Sequence, residues 1–153
     1  MKKSKNKIRL IGRREYVDFP ELEFFSVEAK IDTGAYTSSI HCSDISVKKI
    51  NDKEVLCFKL LDITHPDSSK QEHQFSEFSK KRIKNSFGEM EERYIIKTKI
   101  KIGKKIIRTT LSLSDRENMR YPVLIGRRLL KGKFIIDVNK IHLGGLVLAK
   151  AIN

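Results

Sequence analysis

Two cysteines, three prolines and eight glycines in 153 residues are too few for a disulfide framework, a proline-rich linker or a collagen-like repeat. No apolar run approaches the roughly 20 residues that a membrane-spanning helix requires. The longest apolar tract, Leu143 to Leu148, is short and broken by Gly144 and Gly145. The start of the chain is charged (Met1-Lys2-Lys3-Ser4-Lys5-Asn6-Lys7) and no apolar segment follows it, so no secretory signal and a cytoplasmic address are expected. In that compartment Cys42 and Cys57 are expected as reduced thiols. Acidic residues are scarce as well: 19 Asp+Glu stand against 32 Lys+Arg, a net charge of +13. Such a balance raises a polyanionic partner, whether nucleic acid, an anionic membrane surface or an acidic polypeptide, and says nothing about the fold.

What is present is hydrophobic alternation. With 39% hydrophobic residues the chain can build one ordinary core, and its length suits one domain. Residues 1–7 read as a basic, disordered tail and 8–153 as a single domain. Val27, Ala29 and Ile31 alternate with Glu28 and Lys30; Ile96, Thr98, Ile100 and Ile102 alternate with Lys97, Lys99 and Lys101. Both are period-two patterns of half-buried strands. Gly103-Lys104 reads as a hairpin turn, with Ile106 to Leu113 as the return strand. Further short strands are expected at Val55–Leu61, Tyr121–Ile125, Phe134–Val138, Ile141–Leu143 and Leu146–Leu148, and one helical turn at Arg127–Leu130. Many short strands and no long helix predict an all-β barrel or sandwich. Residues 62–93 are polar and nearly free of apolar periodicity, which marks a long functional or disordered segment.

The sharpest chemical signal is Ile31-Asp32-Thr33-Gly34-Ala35, an apolar strand ending in Asp-Thr-Gly. Two carboxylates held close cannot both ionise and so share a proton; one then activates a water while the other protonates a carbonyl. Gly34 permits the sharp turn beside the carboxylate. The same tripeptide also suits an Asx-type turn at a strand end. Far along the chain Val123-Leu124-Ile125-Gly126-Arg127 supplies an apolar triplet followed by Gly-Arg.

Together, Asp-Thr-Gly-Ala and Leu-Ile-Gly-Arg-x-Leu-Leu resemble the retropepsins. Ile11-Gly12-Arg13-Arg14-Glu15, Lys30 to Ser38, Glu92-Arg93-Tyr94 and Leu113-Ser114-Asp115-Arg116 narrow the resemblance. They are similar to a bacterial retropepsin-like family usually labelled "ATP-dependent zinc protease". The resemblance implies a closed β-barrel of the acid-protease fold. It also implies an aspartic endopeptidase in which Asp32 acts with Asp32 of a second chain on a peptide or protein substrate.

In that reading Asp32, Thr33 and Gly34 form the catalytic loop, Gly126 and Arg127 support it from behind, and Ser86 and Gly88 form a flap tip within 62–93. Ala35, in place of a Ser, removes one hydroxyl donor near the carboxylate and implies a less acidic optimum. Tyr36 stands where viral relatives carry the acidic partner of the Gly-Arg arginine, so Arg127 needs another partner.

No metal and no cofactor are expected: the sequence has neither a His-Glu-x-x-His helix nor a Gly-x-x-x-x-Gly-Lys-Ser/Thr loop, and its four histidines are scattered. His41 and Asp115 read first as structural hydrogen bonders, Glu92 and Arg93 as an ion pair, and Arg127 as a loop-fixing group. Two other readings stay open: a binding module for peptide or protein on the same fold without hydrolysis, and a basic nucleic-acid-binding barrel.

Overall fold

The computed structural model describes residues 7–60, 71–84, 87–115 and 120–148. The first six residues, all of 61–70 and Ser86 therefore lie outside the described residues. The structure is all-β, as the alternation predicts. Its strands are β1 (Arg9–Gly12), β2 (Arg14–Phe19), β3 (Phe24–Ile31), β4 (Ser38–Ile50), β5 (Lys53–Leu60), β6 (Glu72–Phe75), β7 (Ser79–Lys84), β8 (Met90–Ile102), β9 (Lys105–Ser114), β10 (Val123–Ile125), β11 (Phe134–Asp137) and β12 (Leu146–Val147). A single helical turn, α1 (Arg127–Leu130), follows β10.

The larger sheet runs β10-β3-β2-β8-β9-β4-β5-β6, with β7 laid on β8, and β10 pairs with β4 as well as β3. The pairings thus form a ring, from β10 through β3, β2, β8, β9 and β4 back to β10. A second sheet places β1 between β11 and β12. The hydrophobic core holds Val17, Phe19, Val27, Ile40, Phe58, Ile96, Ile100, Leu111, Val123 and Ile125, each at most 1% exposed. Burying one such side chain contributes about 2 kcal/mol.

The alternation explains β8. Ile96, Thr98, Ile100 and Ile102 face the core, while Lys97 and Lys99 face outward. β-Branched residues suit such a pleated, half-buried surface. β8 and β9 pair from Ile102↔Lys105 to Ile95↔Ser112 across Gly103, whose φ of 60° meets the demand of the turn.

Three segments differ from expectation. The described residues of 62–93 are not one irregular loop: β6 adds to β5, and β7 pairs antiparallel with β8. The backbone ladder carries that pairing, and it needs no apolar face because β7 is almost wholly exposed. Second, β4 spans residues without alternation, because a register shift between Ser43 and Ser46, with Asp44 at φ 53°, changes which face points inward. Third, Ile141–Leu143 is no strand. Its amides bond elsewhere, His142 N–H to Arg14 O (2.9 Å) and Leu143 N–H to the Glu15 carboxylate (2.9 Å).

Cys42 and Cys57 are both buried and unpaired. Burial pushes the Cys42 thiol far above its ordinary value. No helix among the described residues is long and apolar enough to cross a membrane.

Candidate functional site

The Asp32 loop is built by β10. This three-residue strand lies parallel to β3, with Ile125 opposite Ile31, and antiparallel to β4, with Val123 opposite Ile40. The Asp32 N–H continues the ladder to Ile125 O (2.8 Å). The chain then turns: Gly34 N–H donates to Asp32 Oδ1 (3.0 Å) and Ala35 N–H to Asp32 O (3.2 Å). The carboxylate therefore makes the Asx-type bond that suits these residues, and one of its oxygens holds its own loop. Asp32 is half-buried, and Thr33 and Gly34 are exposed.

The Gly126-Arg127 element locks this loop from behind. Gly126 N–H donates to the buried Ser38 hydroxyl (3.0 Å). A Cβ on Gly126 would fall 2.6 Å from Tyr36 O and 2.9 Å from Ala35 O, so only glycine lets the two backbones approach. The free N–H groups at the start of α1 find their acceptors in the loop: Arg127 N–H bonds Ala35 O (2.9 Å) and Arg128 N–H bonds Tyr36 O (3.0 Å). The Arg127 side chain donates from Nη1 to Thr33 O (3.1 Å) and stands over the Tyr36 ring, 5.5 Å from its centroid. A backbone carbonyl and an aromatic face thus take the place of an acidic partner.

Asp32, Thr33, Gly34, Ala35, Gly126 and Arg127 are therefore brought together in one hydrogen-bonded unit. Gly88 is not among them. It sits at the bend between β7 and β8 with φ 80°, and a Cβ there would meet nothing within 4 Å.

Two residues beyond those singled out hold the surroundings in place. Ser38 follows the Asp-Thr-Gly stretch closely; its hydroxyl is the signal, and only the fold supplies the Gly126 amide. Glu15 is a buried carboxylate, 1% exposed, that accepts three backbone N–H bonds: Gly12 (2.7 Å), Leu143 (2.9 Å) and Gly144 (2.8 Å). It ties the β1–β2 corner to the segment before β12.

His41 is buried with Nδ1 3.2 Å from Ser114 O, a structural contact. Arg93 pairs with Glu91, not with the expected Glu92, which instead approaches Lys80 (3.9 Å). Neighbours along a strand face opposite ways, so only residues two apart share a side. Arg93, Tyr94, Ser114 and Asp115 line a cavity of about 180 Å³. Among the described residues, no three of His, Cys, Asp and Glu gather as a metal-binding group.

A single Asp-Thr-Gly loop locked by a Leu-Ile-Gly-Arg strand and turn is the arrangement of the retropepsin-like class. The chain belongs to the RimB-like family, described as retropepsin-like aspartic endopeptidase RimB, whose family model matches residues 10–143. Among curated proteins it is 34% identical over 129 residues to a probable alpha-L-glutamate ligase of Desulfotalea psychrophila, a match covering 84% of this chain and 28% of that protein. The probable alpha-L-glutamate ligase of Shewanella halifaxensis is 33% identical over 128 residues, with the same coverage. The corresponding protein of Parasynechococcus marenigrum is 26% identical over 133 residues, covering 87% of this chain and 28% of its own length. The chain thus spans little more than a quarter of the curated relatives it matches.

A crystal structure of a Legionella pneumophila protein of unknown function superposes with a TM-score of 0.69 at 22% identity, covering 89% of this chain and 98% of that one. That likeness shows the fold. The relatives correct the functional expectation: they are named for ligation of glutamate, so peptide-bond hydrolysis by paired Asp32 residues is not retained as the function of this chain.

Proposed function

We propose that this chain serves α-L-glutamate ligation, as a retropepsin-like module that holds the glutamate-bearing polypeptide. The observation that carries this reading is the match of 84% of the chain, at 34% identity, to part of a probable alpha-L-glutamate ligase. Each round of α-L-glutamate ligation adds a carboxylate, so a module shared at that level is expected to meet an acidic, glutamate-bearing chain.

Electrostatics supports the reading. A glutamate polymer carries one carboxylate per residue, and this chain carries +13. Opposite fields raise both the rate of encounter and the local concentration of ligand. In this reading the ring of strands closes as the barrel of the acid-protease fold and gives the Asp32 loop a rigid frame. The loop is then a recognition element, with Thr33 and Gly34 exposed beside it. A cytoplasmic address belongs to the same reading and is supported by the two unpaired cysteines.

The experiment is fluorescence anisotropy with a labelled α-linked L-glutamate hexapeptide, against a glutamine hexapeptide of the same length. Saturable binding of the glutamate peptide alone is expected. Equal binding of both peptides, or of neither, contradicts the proposal.

A further inference from the structure

The outward face of the β8–β9 hairpin meets α1 in an open groove of about 350 Å³. Its walls carry Lys97, Arg108, Arg128 and Lys133, and none of its lining residues is acidic. The register explains the gathering. Lys97 pairs with Thr110, and Lys99 with Arg108, so these side chains share the outer face of the hairpin. Arg128 reaches over from α1 and donates from Nη1 to Thr110 Oγ1 (3.1 Å), which fixes one guanidinium over the strands. Ile107 and Leu129 back the groove from the core side and are only 7% and 1% exposed.

A merely solvated face mixes charges of both signs. Here one carboxylate, Glu21, approaches the rim, 3.8 Å from Arg108, with the two side chains 39% and 60% exposed, and it accepts from the Thr98 hydroxyl and the Lys99 N–H. A pair so exposed is worth little. The remaining cations have no carboxylate beside them in the lining.

The groove is also coupled to the Asp32 loop. The same Arg128 whose side chain spans the groove donates its backbone N–H to Tyr36 O.

We infer that this groove is a docking site for an acidic polypeptide, which lays successive carboxylates against Lys97, Arg108, Arg128 and Lys133. The inference rests on the glutamate reading above and gives it a location. A single-stranded nucleic acid is a poorer occupant, because the lining offers no aromatic ring for bases to stack on.

The test compares the full chain with two double charge reversals that change net charge equally: Lys97→Glu with Lys133→Glu in the groove, and Lys81→Glu with Arg82→Glu on the exposed strand β7. The probe is a labelled α-linked L-glutamate decapeptide, followed by anisotropy at two salt concentrations. The groove reversal is expected to weaken binding by about ten-fold or more, and the β7 reversal by no more than about three-fold. Tight binding by the unaltered chain that both reversals weaken equally, or that the groove reversal leaves alone, overturns the groove and spares the glutamate reading. No binding by the unaltered chain overturns both. Tighter binding of a single-stranded DNA decamer than of the peptide, lost on the groove reversal, overturns the proposed occupant.

Discussion

The Arg127 guanidinium clamps the Asp32 loop through Tyr36: it stands 5.5 Å from the centre of the Tyr36 ring while its Nη1 donates to Thr33 O at 3.1 Å. The ring is 54% exposed, so the contribution of the stacked pair is modest. Tyr36→Ala is expected to lower stability by about 0.5–1 kcal/mol, whereas Tyr36→Phe, which keeps the aromatic face, stays near neutral. Urea denaturation midpoints for the two variants check this. An equal loss in both would assign the effect to the hydroxyl instead.

Gly126 is required by space. Gly126→Ala places a methyl 2.6 Å from a backbone carbonyl that cannot rotate away, so the loop or α1 must shift. The expected cost is about 2 kcal/mol or more, with chemical-shift changes spreading to Ala35 and Tyr36. Denaturation and amide spectra of the variant measure both. Gly88→Ala meets no neighbour, but it forces a side chain to φ 80°, so a smaller cost, confined to the β7–β8 bend, is expected.

Glu15 accepts three backbone N–H bonds inside the protein. Glu15→Ala leaves the buried Gly12 N–H without an acceptor and releases the more accessible Leu143 and Gly144 amides, which costs about 1–3 kcal/mol. Glu15→Gln keeps one carbonyl oxygen and is expected to lose less. Hydrogen exchange at Gly12, Leu143 and Gly144 should quicken in both variants. Unchanged protection at all three amides would show that the carboxylate does not hold them.

His73 stacks on Phe58, ring centres 5.6 Å apart, and burial holds its imidazole below its ordinary value of 6.5, an effect partly offset by the Glu23 carboxylate. The folded state therefore binds this proton less readily than the unfolded chain does. The contribution is fully present above pH 6.5 and is lost as pH falls from there toward the lowered folded value. Denaturation midpoints should fall between pH 7.5 and 5.5, and His73→Phe should flatten that dependence. An unchanged slope in the variant would assign it to other groups.

Where period-two alternation is strong, as in β3, β8 and β9, the strands, their inward residues and the Gly103 turn were legible in the sequence. The Asp32 loop and its Gly126-Arg127 support were legible too, because an apolar strand ending in Asp-Thr-Gly and an apolar triplet ending in Gly-Arg are distinctive. Strands held by backbone pairing alone were hidden: β7 has no apolar face, and β4 changes face at its bulge. The Arg127 partners were hidden because one is a main-chain carbonyl. The groove between Thr110 and Arg128 was hidden because it depends on α1 folding back over a hairpin, a relation that no local pattern carries. Function was the least legible, since the Asp-Thr-Gly chemistry pointed to hydrolysis whereas the curated relatives are named for ligation.

The most direct test of the proposed role is isothermal titration of the chain with two glutamate hexamers of equal charge, one α-linked and one γ-linked, both of L-glutamate. The expected result is binding of the α-linked hexamer about ten-fold tighter than its isomer, because a site shaped for the polymer reads the backbone as well as the charge. Equal affinities would reduce the interaction to charge alone and contradict a dedicated role in α-L-glutamate ligation.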